Sequence, residues 1–155
     1  MTAPADNDQH HRERLRLETE VFYTSPFTVM GRMRSIRHAA MGIGFVLRSQ
    51  HNAWVHAAVT VAVLALAAVL HFTVRPYSMS EWADLVIAIA MVWVAETFNT
   101  GLEVLANAIT SERHPVVKIA KDVAAAAVLL SAIAASIVGL ILFLPPLIEL
   151  AKRLL

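Results

Sequence analysis

WADLVIAIAMVWVAETFNTGLEVLANAI, residues 82–109, is long and apolar enough to cross a bilayer, yet its second half carries Glu96, Asn99, Glu103 and Asn107. An acid at the bilayer centre costs at least about 2.5 kcal/mol unless something compensates it, so acids in such a segment mark function. At about 100° per residue on a helix, Glu103 is displaced ~20° from Glu96, Asn107 ~20° to the other side and Asn99 ~60° away. The four therefore share one polar stripe. A rise of about 1.5 Å per residue separates Glu96 from Glu103 by ~10 Å along the axis, so one acid sits deeper and the other nearer water.

The rest of the chain agrees with a membrane setting. Of 155 residues, 57% are hydrophobic and only 16% charged, and the mean hydropathy is +0.60, values that do not suit a small soluble globule. With no cysteine in the sequence, disulfides, thiolate metal sites and cysteine nucleophiles are excluded. Residues 53–72, AWVHAAVTVAVLALAAVLHF, form a first span, and residues 122–144, DVAAAAVLLSAIAASIVGLILFL, a third. His56 and His71 lie near the ends of the first span, and an interfacial amphipathic role suits His71. Ser80 is the expected N-cap of the second span, with Tyr77 and Trp82 placed as an aromatic belt. Pro145 and Pro146 are expected to close the third span and leave residues 147–155 as a short tail.

Ahead of these spans, residues 1–25 are polar and of mixed charge, which predicts a flexible tail; the His10-His11 pair within it lacks the fixed geometry a metal site needs. Residues 27–50 space apolar positions by three and four among Arg32, Arg34, Arg37 and Arg48. That pattern predicts an amphipathic helix on the membrane surface, too short and too basic to span. Arginines and lysines gather before the first span and after the second, which places the N-terminus and the loop near residue 113 in the cytoplasm and the C-terminus outside; Lys152 and Arg153 argue weakly against that last placement. A domain at residues 26–146 results, with no secretory signal peptide, internal repeat, phosphate-binding loop, dinucleotide fingerprint or nucleic-acid signature. The Ala- and Ser-rich start of the third span favours close helix packing, and polar stripes on so small a chain favour homo-oligomerisation.

The ordered set E-x-x-N-T-x-x-E at residues 96–103, H-P-V-V-K-I-A-K-D-V-A-A at 114–125 and G-L-x-x-F-x-P at 139–145 resembles the small prokaryotic diacylglycerol kinase family, which includes the undecaprenol kinases. The likeness reaches back through Ser35-Ile36-Arg37-His38-Ala39-Ala40-Met41-Gly42 to Asn52 and His56. It implies an all-α integral membrane protein of the bacterial inner membrane: a surface helix, three transmembrane helices and a homotrimer with sites between subunits. It also implies transfer of the ATP γ-phosphate to a lipid alcohol with Mg²⁺, with undecaprenol preferred over diacylglycerol because the 114–125 pattern is closer to the undecaprenol kinase branch. Under that resemblance Glu96 is the general base, Asn99 orients it or the hydroxyl, and Glu103 is a metal ligand. Lys121 and Asp122 contact nucleotide, with His38, Arg113, His114 and Lys118 on the same phosphate-facing surface.

Two positions depart from the family pattern. Gln50 stands where a second metal-binding glutamate is common; its carbonyl can ligate a hard cation but brings no charge. Asn107 stands where an aspartate is frequent. A catalytically inert relative is therefore one alternative. A small channel or proton-coupled transporter, with Glu96 and Glu103 lining its path, is another.

Overall fold

The computed structural model describes residues 29–110 and 114–154. The expected tail at 1–25 and Arg113 lie outside the described residues. Among the described residues four helices follow one another: α1, Val29–Ser49; α2, His51–Thr73; α3, Met79–Ile109; and α4, Pro115–Leu154. Among the described residues, α2, α3 and α4 are long and apolar enough to cross a membrane. The chain divides into two units, residues 1–41 and 42–155. In the first, the described side chains at 32–41 on α1 are exposed. The second holds the end of α1 and the three long helices.

Within this second unit α3 and α4 pack most extensively, and α2 touches both more sparingly. The apolar core lies at the end nearest the 74–78 connection, where Ala67, Leu70, Tyr77, Leu85, Leu142 and Phe143 are buried together. Only 11–28% of each spanning stretch is buried, so most of its apolar surface is left for lipid or neighbouring chains.

Polar groups lock the 74–78 connection. The N-cap of α3 is Ser78, not the expected Ser80: Ser78 and Glu81 form a reciprocal capping box, the Ser78 N–H donating to Glu81 Oε2 at 2.8 Å and the Glu81 N–H to Ser78 Oγ at 3.3 Å. Ser80 fails because its partner three residues on is Ala83, whereas Ser78 has a glutamate there. Arg75 donates to both Glu81 oxygens, at 2.6 and 3.3 Å, with its guanidinium over the Tyr77 ring. His71 does more than sit at an interface, since its Nδ1 accepts the Tyr77 backbone N–H at 2.8 Å and its ring meets Phe72, Tyr77 and Trp82.

The third span also differs from expectation. Instead of ending near 144 with a tail at 147–155, α4 continues through Pro145 and Pro146 to Leu154. Proline at 146 supplies no N–H to the carbonyl of Leu142, four residues back. That carbonyl accepts the Tyr77 hydroxyl at 3.5 Å instead, and Pro146 itself is buried. Beyond the prolines, Arg153 donates to the carbonyls of Thr73 and Val74 at 3.3 and 3.1 Å. These are end carbonyls of α2, left without helical partners, so the last turns of α4 are tied to the rest of the unit.

Candidate active site

The polar stripe on α3 forms as its spacing requires, and burial grades along it. Glu96 is 1% exposed, Asn99 7% and Thr100 1%; Glu103 is half-buried and Asn107 exposed. Among the described residues neither Glu96 oxygen, nor Asn99 Oδ1, nor Thr100 Oγ has a hydrogen-bond partner. Three are acceptors only, the Thr100 hydroxyl can also donate, and all four lie on adjacent turns. A buried acceptor without a donor costs about 1–3 kcal/mol, and a charged one more, so this cluster is costly in the chain alone. Thr100 draws no attention in the sequence because threonine is common in membrane helices. Its position ~40° from Glu96 on the same stripe was the available signal.

A groove of about 300 Å³ opens beside the cluster. Asn52, Val55 and His56 of α2 line it with Glu96 and Asn99 of α3, and Ala125, Val128, Leu129 and Ala132 of α4 form the remaining wall. The α4 contribution is wholly apolar, so the groove offers hydrocarbon on one side and oxygen acceptors on the other. His56 reaches towards the acid, with Nε2 3.8 Å from Glu96 Oε2. Its ring meets Trp93 edge-on, and Trp93 Nε1 donates to Thr60 Oγ at 3.1 Å, linking α2 to α3 one turn deeper.

Two turns from Glu96, the amide of Gln50 donates from Nε2 to Glu103 Oε2 at 3.2 Å. Gln50 is the extended residue between α1 and α2, with φ −112° and ψ 121°, and this break carries its side chain to α3. Among the described residues no three His, Asp or Glu side chains gather closely enough to hold a metal by themselves. In this contact the amide nitrogen of Gln50 faces Glu103, so a hard cation would be held here by the Glu103 carboxylate and the Gln50 carbonyl oxygen only after the amide turns over.

The basic start of α4 resolves into two separate contacts. Lys121 donates to Asn107 Oδ1 on α3 at 3.3 Å, whereas Asp122 accepts from Lys118 at 2.6 Å one turn back on its own helix. Neighbouring residues on a helix point about 100° apart, so Lys121 and Asp122 do not share a partner. His114 is exposed just before α4, its carbonyl accepting the Lys118 N–H at 3.0 Å. His38 lies on the exposed part of α1.

Three helices long and apolar enough to cross a membrane thus carry a buried acid facing a groove, with a second acid and lysines towards one end. The chain belongs to the prokaryotic diacylglycerol kinase family, whose model matches residues 37–143, and it is an ATP-dependent lipid kinase. It is 36% identical over 114 residues to the undecaprenol kinase of Bacillus subtilis (strain 168), covering 74% of this chain and 89% of that protein. It is 38% identical over 117 residues to the diacylglycerol kinase of a Synechocystis species, covering 75% of this chain and 64% of that one. Family membership sets aside the channel and transporter alternative raised by the intramembrane acids.

Proposed function

We propose that the chain transfers the γ-phosphate of ATP to the hydroxyl of a membrane lipid alcohol, undecaprenol in preference to diacylglycerol, with Glu96 as general base. The observation that carries this reading is the buried cluster of unpartnered acceptors beside a groove with an apolar wall. A lipid alcohol fits both halves: its chain lies against Ala125, Val128, Leu129 and Ala132, and its hydroxyl hydrogen meets the Glu96 carboxylate. In the reaction the hydroxyl oxygen bonds to the γ-phosphorus, the bond from that phosphorus to the bridging oxygen breaks to release ADP, and Glu96 takes the hydroxyl proton. Asn99 orients the hydroxyl or the carboxylate through its amide. The likeness to an undecaprenol kinase and to a diacylglycerol kinase is about equal, so the substrate preference rests on the pattern at residues 114–125.

Glu103 and Gln50 would hold Mg²⁺ together with ATP phosphate oxygens. The chemistry such an ion would supply when bound is neutralisation of charge on the phosphates. Lys121 and Asp122 contact the nucleotide, with Lys118, His114 and Arg113 adding positive charge or hydrogen bonds near its phosphates; a nucleotide role for His38 rests on the family resemblance alone. We also place the protein in the bacterial inner membrane with its N-terminus cytoplasmic, α1 as a surface helix, and the active assembly as a homotrimer. The largely unburied spans support assembly, since neighbouring chains would cover them. A domain at residues 26–146 carries the activity.

The direct test presents purified protein in mixed micelles with Mg²⁺, γ-labelled ATP and each lipid alcohol in turn. Labelled lipid phosphate, formed fastest from undecaprenol, is expected. Label remaining in ATP with every alcohol would identify an inert relative and overturn the proposal.

A further inference from the structure

We infer that His56 is a positioning residue of the transfer site that receives the proton from Glu96 and passes it to water, resetting the base after each turnover. The inference rests on the reading of Glu96 as general base. Glu96 lines the groove yet is only 1% exposed, so water has little access to a proton it has captured. His56 offers a route. Its Nε2 stands 3.8 Å from Glu96 Oε2, beyond a direct hydrogen bond but within reach of a small side-chain rotation or one bridging water. The His56 side chain is 19% exposed, so it joins the buried acid to the open groove.

The surroundings single out this pair. The groove is lined from α2 by Asn52, Val55 and His56, from α3 by Glu96 and Asn99, and from α4 by apolar residues only, so among the described lining residues Glu96 is the one titratable group facing His56. The imidazole is held in orientation by Trp93, edge-on at 6.4 Å between ring centres, and Trp93 is itself anchored to Thr60. Imidazole is also the side chain whose ordinary pKa suits passing protons near neutrality. In the step the Glu96 O–H bond breaks and an Nε2–H bond forms, leaving a carboxylate beside an imidazolium. Loss of that proton to water in the groove restores neutral imidazole.

Full-length His56→Gln, His56→Ala and Glu96→Gln are assayed in mixed micelles with Mg²⁺, ATP and undecaprenol across pH, with a melting curve for each. For His56→Gln we expect kcat to fall at least about tenfold, KM for ATP and lipid to stay within about twofold, and the pH profile to lose one ionisation. Added imidazole should restore His56→Ala in proportion to its free-base concentration and leave Glu96→Gln inactive. A His56→Gln enzyme within about twofold of parental kcat and with an unchanged pH profile overturns the inference. So does a folded His56→Ala enzyme whose lost activity imidazole does not restore. If His56→Ala does not fold, kcat and the pH profile of His56→Gln decide alone. Inactive Glu96→Gln beside fully active His56→Gln removes only the role of His56. Active Glu96→Gln removes the base assignment, and this inference with it.

Discussion

Replacing Gln50 by glutamate reverses the chemistry of one contact without moving the backbone, and its consequences can be worked from the structure. The amide now donates to Glu103 Oε2 at 3.2 Å. A hydrogen bond to a charged group is worth about 1.5–3 kcal/mol, and the variant loses it. Two carboxylates at that separation would also repel by about 5 kcal/mol at an effective dielectric of 20. Both residues are half-buried at the rim, where water and salt reduce the repulsion to roughly 1–2 kcal/mol. Without divalent cation, Gln50→Glu should therefore melt lower by roughly 5–20 °C. A cation between the carboxylates turns repulsion into chelation, and relief of about 2 kcal/mol corresponds to roughly 30-fold tighter Mg²⁺ binding. Melting curves of detergent-solubilised protein with and without Mg²⁺, together with Mn²⁺ titration as a spectroscopic probe, measure both effects. Equal melting in the absence of metal and unchanged cation affinity would refute the pairing of Gln50 with Glu103.

Other substitutions separate the roles of neighbouring groups. Glu103→Gln should raise the Mg²⁺ requirement and KM for ATP at least about tenfold while leaving the protein folded, read from initial rates at varied Mg²⁺. Thr100→Val removes a buried hydroxyl without a partner, so it should raise stability by up to about 1 kcal/mol by denaturation, with KM for the lipid rising if that hydroxyl meets the substrate. At the opposite end of the unit, Glu81→Gln breaks the reciprocal cap and the Arg75 pair; a loss of about 1–2 kcal/mol with specific activity unchanged is expected from melting and transfer assays on the same sample.

The spans were legible because hydrocarbon thickness demands long apolar runs, and residues 53–72, 82–109 and 122–144 supply them. The stripe of Glu96, Asn99 and Glu103 was equally legible, since helical periodicity alone puts them on one face. What escaped the sequence depended on partners distant in the chain. Pro145 and Pro146 look like a helix end, but the carbonyl of Leu142 finds the Tyr77 hydroxyl and Arg153 holds the α2 carbonyls, so α4 continues. Ser78 and Ser80 both look like caps, and only the position of Glu81 distinguishes them. Gln50 reads as a lost charge, yet its amide makes a specific contact 53 residues away. His56 reads as one histidine near a helix end, and its relation to Glu96 depends on how α2 packs against α3.

The account turns on a buried carboxylate receiving the proton of a lipid hydroxyl. Its most direct test compares parental protein and Glu96→Gln in the same micelles, measuring label transfer from γ-labelled ATP to undecaprenol beside the binding of a nonhydrolysable ATP analogue. The account predicts that transfer falls by at least about a hundredfold while analogue binding is kept. Near-parental transfer by Glu96→Gln would contradict it.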